Sequence, residues 1–185
     1  ALGGTAVVMD PATGEVLAMA TYPWFDPNEY SEAPVEAMRN RAVTDAFEPG
    51  SVNKIITAAA ALETGAVSLE ERFRVPASMK VGPFTIRDSH EHPVESMTTG
   101  DIITESSNIG AALIAEQVGS VTLGSFMEKF GYGSPTGVGF PGEAAGVLLP
   151  GESWDEVIRA TVSYGQGISV TPLQMANVYA TIANG

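Results

Sequence analysis

What this chain lacks narrows its chemistry first. It has no cysteine, so a disulfide framework and a thiolate metal site are both excluded. It has two histidines, His90 and His92, close together in one polar stretch, which leaves little material for a metal centre. Basic residues are scarce: 9 Lys and Arg stand against 22 Asp and Glu, for a net charge of −13. Such a balance argues against a nucleic-acid groove and against docking on an anionic membrane surface. No apolar run reaches the length needed to span a bilayer, and no internal repeat or low-complexity tract is present. What remains is globular: 185 residues, 44% hydrophobic and 17% charged, enough to bury one sizeable core.

Because lysines are few, their positions are informative. Lys54 follows three residues after a serine in Phe47-Glu48-Pro49-Gly50-Ser51-Val52-Asn53-Lys54, and chance alone gives about 0.2 Ser-x-x-Lys matches in such a chain. Pro49-Gly50 interrupts regular structure, and the run Ile55 to Leu62 favours a helix. If Ser51 opens that helix, Ser51 and Lys54 share one face, a turn apart. The free N–H groups and positive dipole end there favour developing negative charge. The same pattern suits a simple N-cap serine beside a solvated lysine. Two details favour chemistry. A cation in the first helical turn opposes the dipole, and the run behind it is apolar nearly all round, as in a buried helix. A lysine entering such a helix needs a partner or a lowered pKa.

A second element is Glu105-Ser106-Ser107-Asn108-Ile109-Gly110. Thr99 to Glu105 and Asn108 to Val118 read as helices, so Ser106-Ser107 falls at their junction, where side chains can leave the helix and enter a cleft. Ser107 also suits an ordinary N-cap of the second helix.

Together these elements resemble the penicillin-binding transpeptidase family, whose motif set includes Ser-x-x-Lys and Ser-x-Asn. The flanks are similar to its class B, monofunctional members: Val7 to Met19, Asn40-Arg41-Ala42-Val43, Glu48-Pro49-Gly50-Ser51, and Ser163 to Gln174 with its Tyr164-Gly165-Gln166-Gly167. The family's third motif, Lys-Thr-Gly or Lys-Ser-Gly, is missing: no lysine follows Lys129. The resemblance implies an α+β fold, the penicillin-binding and serine β-lactamase-like transpeptidase fold, with a helical core and an incomplete antiparallel sheet. Residues 1–185 are then one transpeptidase domain, incomplete at its C-terminus. By itself such a chain is expected not to crosslink peptidoglycan and to bind β-lactams poorly.

The roles implied are Ser51 as nucleophile, Lys54 as base, Ser106 as proton relay, and Asn108 as holder of Lys54 and of the donor peptide. No cofactor and no metal are implied. The partners are peptidoglycan stem peptides, β-lactam antibiotics, and a glycosyltransferase with other cell-wall synthesis proteins. The place is the extracytoplasmic face of the bacterial cytoplasmic membrane, reached by an N-terminal anchor outside this chain. The front half also suits a β-lactamase or carboxypeptidase, which use water as acceptor, or a penicillin-binding sensor that does not turn over. A metal module at Asp88-Ser89-His90-Glu91-His92 is the remaining alternative.

Elsewhere, Gly4–Met9 and Glu15–Thr21 read as a β-hairpin around the turn Asp10 to Gly14. Val35 to Ala46 reads as a helix, and short strands fall near Phe73 and Phe84. Ser120 reads as the cap of a helix ending at Phe130, and 131–151 as a glycine- and proline-rich excursion. Thr171-Pro172-Leu173-Gln174 is a capping box that opens the last helix. Tyr22 and Trp24 are expected to cover the core, Gln166 to serve packing, and the scattered methionines to fill gaps.

Overall fold

The computed structural model describes residues 3–185, which divide into two compact units. The first holds the chain up to Phe47, then Phe130–Val147 and Ser169–Gly185. The second holds Glu48–Lys129 and Leu148–Ile168.

In the first unit, strands β1 (Gly4–Met9) and β2 (Val16–Tyr22) pair antiparallel, with a bulge between Val8 and Met9. The Asp10–Gly14 turn closes the hairpin: Asp10 N donates to Glu15 O, and the Asp10 carboxylate accepts from Ala12 N. Strand alternation turns Val7, Met9 and Met19 toward a core of Ala42, Val43 and Leu173, and the bulge, by adding one residue to β2, brings Val16 to the same face. Val8 and Ala18, paired in register, face outward. The helix expected over Val35 to Ala46 is broken into a 3-10 turn, Val35–Ala37, and a short helix α1, Arg41–Thr44. The break follows from Asn40, whose side chain accepts from Ala42 N and so starts a new helix. Helix α7 (Pro172–Asn184) opens on the expected capping box between Thr171 and Gln174. The Gln174 amide also donates to Gly131 O, Ser134 O and Ala145 O, which ties down the excursion after residue 130. Tyr22 and Trp24 do not cover a core. They are 59% and 71% exposed, because the segment leaving β2 runs along the surface.

The second unit is mainly helical. Its helices are α2 (Lys54–Glu63), α3 (Thr99–Thr104), α4 (Asn108–Val118), α5 (Ser120–Lys129) and α6 (Glu156–Ser163). Two antiparallel ribbons accompany them: β3 (Arg72–Val75) with β6 (Glu95–Thr98), and β4 (Met79–Val81) with β5 (Phe84–Ile86). Ile109, Ala111, Ala112, Ile114, Ala115 and Val118 make α4 apolar around most of its circumference, so it is buried on nearly all sides. Each isoleucine so buried contributes about 1.5–3 kcal/mol. Ile56, Ala60 and Ala61 of α2 and Leu123 and Met127 of α5 complete this core. Ser120 is not the cap of α5. It is the first helical residue, and Leu123 N donates back to Gly119 O. Helix α6 and strand β6 are additions to the elements expected from the sequence. Asp155, accepting from Ile158 N, is the cap that marks α6.

Candidate active site

Every residue of the expected centre lies in the second unit. Ser51 does not open the α-helix itself. It sits in a 3-10 turn, Gly50–Asn53, that leads into α2 at Lys54. In a 3-10 turn residues i and i+3 eclipse, so the tighter winding stacks Lys54 over Ser51. Lys54 is 2% exposed, and its Nζ lies 3.3 Å from Ser51 Oγ and 3.0 Å from Ser106 Oγ. The Ser106 carbonyl accepts a third bond from the same amine. Three acceptors thus match the three N–H bonds of an ammonium. A neutral amine has two donors and a lone pair, and the lone pair must then face one of the two serine hydroxyls. Burial pulls Lys54 from its ordinary 10.5 down to about 8, against the attraction of the Asp88 carboxylate.

The 51–54 turn is fixed from below. Asn53 is fully buried and donates to Val162 O at 2.9 Å, and Thr57 Oγ1 donates to Ser163 O at 2.8 Å. These two bonds fasten the start of α2 to α6. Gly50 N donates to Gly165 O, and Gly167 N to the Glu48 carboxylate. Gly165 has φ +85°, and a side chain there would run into the Gly50 backbone. The Tyr164–Gly167 motif is therefore a buttress for the segment that presents Ser51.

The Ser106–Asn108 junction is fixed separately. Ser106 has φ +57°, the single non-glycine residue in left-handed conformation among the described residues. That backbone turns its hydroxyl out of the α3–α4 path, at a cost of about 1–2 kcal/mol. Gly110 permits α3 and α4 to meet, since a Cβ there would stand 2.5 Å from Ile102. Ser107 does act as N-cap of α4, accepting from Gly110 N. Asn108 is placed differently from its expected role. Its Nδ2 donates to Arg87 O at 3.1 Å, not to Lys54. Its side chain borders a cavity of about 420 Å³ with Val81, Phe84, Arg87, Tyr164 and Gln166. Gln166 is exposed at that cavity, where packing had been expected.

One residue of the centre reads in the sequence only as part of a metal-module alternative. Asp88 accepts from Asn108 N (2.5 Å) and Ile109 N (3.0 Å) on one oxygen. On the other it accepts from Ser107 Oγ (2.7 Å) and His92 Nε2 (3.0 Å). Burial works to raise its pKa, but the hydrogen bonds outweigh it and hold Asp88 below the ordinary carboxylate range. His92 Nδ1 faces Pro93 O at 2.7 Å. Both ring nitrogens therefore face acceptors, which the doubly protonated ring satisfies. Neither nitrogen is left to ligate a metal, and no group of three or more metal-ligating side chains comes together among the described residues.

A buried lysine between two serine hydroxyls, on a helical core with flanking antiparallel ribbons, is the arrangement the motifs had suggested. The sequence matches the penicillin binding protein transpeptidase domain over residues 4–185. The chain belongs to this family. It is 44% identical over 181 residues to penicillin-binding protein PbpB of Mycolicibacterium smegmatis, covering 97% of this chain and 28% of that protein. It is 40% identical over 181 residues to peptidoglycan D,D-transpeptidase FtsI of Escherichia coli K12, covering 98% of this chain and 30% of that protein. Its fold matches penicillin-binding protein 3 of Mycobacterium tuberculosis, complexed with aztreonam, with TM-score 0.93 and 43% identity over 98% of this chain and 41% of that one. The chain thus spans less than a third of the length of these curated relatives.

Proposed function

We propose that this chain carries the acylating centre of a peptidoglycan D,D-transpeptidase. The observation that carries the reading is the buried Lys54 amine, within reach of both Ser51 Oγ and Ser106 Oγ. An unassisted serine is a poor nucleophile at neutral pH. With Lys54 near 8, about a tenth of molecules hold a neutral amine at pH 7, against about one in three thousand for an ordinary lysine. The neutral amine takes the Ser51 proton as Oγ attacks the carbonyl of a D-Ala-D-Ala-type stem peptide. The Ser51 N–H, at the head of the turn into α2, stabilises the oxyanion, and one such donor is worth about 10²–10³ in rate. Ser106 passes a proton toward the departing amine, and D-alanine leaves as the ester forms on Ser51. The amine of a neighbouring stem peptide then attacks that ester, forms the crosslinking amide and frees Ser51. Asn108, beside the cavity, holds the donor peptide through its side-chain amide. β-Lactams imitate the donor: the ring amide opens and the acyl group remains on Ser51.

This reading places the work at the extracytoplasmic face of the bacterial cytoplasmic membrane, beside a glycosyltransferase and other cell-wall synthesis proteins. Relatives named peptidoglycan D,D-transpeptidase support it, as do the β-lactam complexes of penicillin-binding protein 3. The test is labelling of the native protein with fluorescent penicillin, followed by peptide mapping. The adduct is expected on the Ser51 peptide and is expected to disappear in Ser51→Ala. Label on another residue, retained in Ser51→Ala, would overturn the assignment.

A further inference from the structure

Asp88 has no part in the mechanism above, yet it is among the most heavily bonded side chains of the second unit. Its carboxylate is 2% exposed and accepts four hydrogen bonds, two on each oxygen. Three donors belong to the consecutive residues Ser107, Asn108 and Ile109, at the N-terminus of α4. Those residues directly follow Ser106. The fourth donor is His92, which bends the chain back so that 88–92 closes on itself. A carboxylate with every acceptor position filled, two of them by the free N–H groups at a helix start, is held rigidly.

The strained residue lies next to this clamp. Ser106 is in left-handed conformation, which a serine does not adopt without support. In α3, Thr98 and Asp101 form a capping box at the far end, so the helix before Ser106 has its own anchor. The start of α4, after Ser106, is anchored by Asp88. The two anchors leave Ser106 as the bend between them, with its carbonyl and hydroxyl both directed at Lys54.

We propose that Asp88 is a positioning residue of the serine–lysine centre: it clamps the first residues of α4 and so holds the Ser106 bend against Lys54. This inference rests on the reading of Ser51 as the acylated serine. Asp88 also faces Lys54 electrostatically, as a negative charge that favours the ammonium. The clamp and the charge separate experimentally. Asp88→Asn removes the charge and reverses one hydrogen-bonding atom of the group. Ser107→Ala keeps the charge and removes one donor to the clamp together with the N-cap bond from Gly110 N, a loss of helix stability that its melting curve registers.

The experiment measures the second-order rate of Ser51 acylation by fluorescent penicillin in the native protein, between about pH 6 and 10, with a melting curve for each variant. Asp88→Asn is expected to acylate at least about tenfold more slowly at pH 8, since ångström-scale misplacement costs up to about a hundredfold. Its profile is expected to reach half-maximum at lower pH than the parent. Ser107→Ala is expected to slow by about threefold to tenfold with its half-maximum unmoved. If Asp88→Asn does not fold, Ser107→Ala decides alone: a slowed rate at unchanged half-maximum supports the clamp, and a parental rate overturns it. Folded Asp88→Asn with a rate within about twofold of the parent overturns the proposal, as does a plateau rate at high pH equal to the parent's with only the half-maximum moved, which would leave the charge and remove the clamp. If the parent itself is not labelled on Ser51, it is the proposed function that fails, not the clamp.

Discussion

Replacing Lys54 by methionine is expected to stabilise the unit that carries it while abolishing acylation. Methionine keeps the length and apolar body of the side chain and removes the amine. Lys54 is 2% exposed, and burial brings it from 10.5 to about 8 in the folded state. The unfolded chain therefore binds a proton that the folded one has lost between about pH 8 and 10.5, so stability rises with pH across that window. Below pH 8 both states are protonated and the full penalty is present, about 3 kcal/mol for a shift of this size. Against this stand the bonds Lys54 makes to Ser51 and Ser106. Ser51 is exposed and Ser106 half-buried, so their groups regain water when the amine is gone, at a loss of about 1 kcal/mol. The methionine variant should be more stable than the parent by about 2 kcal/mol at pH 7. That advantage should shrink by about 1.4 kcal/mol per pH unit above 8 and vanish between about pH 9 and 10.

Trp154 provides the assay. It is 7% exposed and belongs to the same unit as Lys54, whereas Trp24 lies in the other unit. Urea unfolding followed by Trp154 fluorescence, in a Trp24→Phe background, reports the correct unit. Tyr132, Tyr164 and Tyr179, all raised by burial, erode stability above pH 10 in parent and variant alike, and cancel in the difference. A methionine variant less stable than the parent at pH 7, or a difference that ignores pH, would refute the assignment of Lys54 as a destabilised, partly neutral amine.

Three further outcomes are expected. The acylation rate of the parent should be half-maximal near pH 8 and fall about tenfold per unit well below it, as the neutral fraction of Lys54 falls, whereas a flat profile from pH 6 to 9 would remove Lys54 as base. Ser106→Gly should be more stable than Ser106→Ala by about 1 kcal/mol, because only glycine accepts φ +57° without strain, while both variants acylate slowly for want of the hydroxyl; an alanine variant as stable as the glycine one would contradict the strained bend. Gly165→Ala should lower stability by about 2 kcal/mol or more in urea unfolding and slow acylation as well, since its side chain collides with the Gly50 backbone beside Ser51.

The parts of this site that were legible in the sequence are those governed by local chemistry. Ser-x-x-Lys before an apolar run placed both side chains on one face, and the 3-10 start only tightens that relation. The span of α4, Asn108 to Val118 with Ser107 as its cap, reads in the sequence as the structure has it, and so does the start of α7 from its capping box. Each depends on residues within a turn of one another. The parts that were not legible depend on distant segments. Asp88 reads in sequence only as part of a metal-module alternative with His90 and His92, and acquires its role where the segment after β5 meets the N–H groups of α4, about twenty residues on. Asn53 has no role assigned from the sequence, yet it is fully buried and its amide reaches Val162 O on α6, a helix not read from the sequence. Asn108 shows the opposite error: the motif suggested contact with Lys54, and the α4 backbone turns its amide to Arg87 O and the cavity.

The residues of the centre share a physical property that single motifs do not reveal. Lys54 places a cation at the positive end of a helix and in a buried site, Ser106 holds a left-handed backbone without being glycine, and Asp88 buries a carboxylate. Each is unfavourable by itself. Their surroundings compensate them one by one: three acceptors for the amine, two capped helices around the bend, four donors for the carboxylate. A chain selected for stability alone would replace these groups with apolar or glycine residues and lose little packing. Their concentration within one contiguous set of contacts is therefore an argument for chemistry that does not depend on the motif. It also makes the opposite signs of the Lys54→Met effects, a gain in stability and a loss of acylation, the measurement that most directly separates a functional lysine from a structural one.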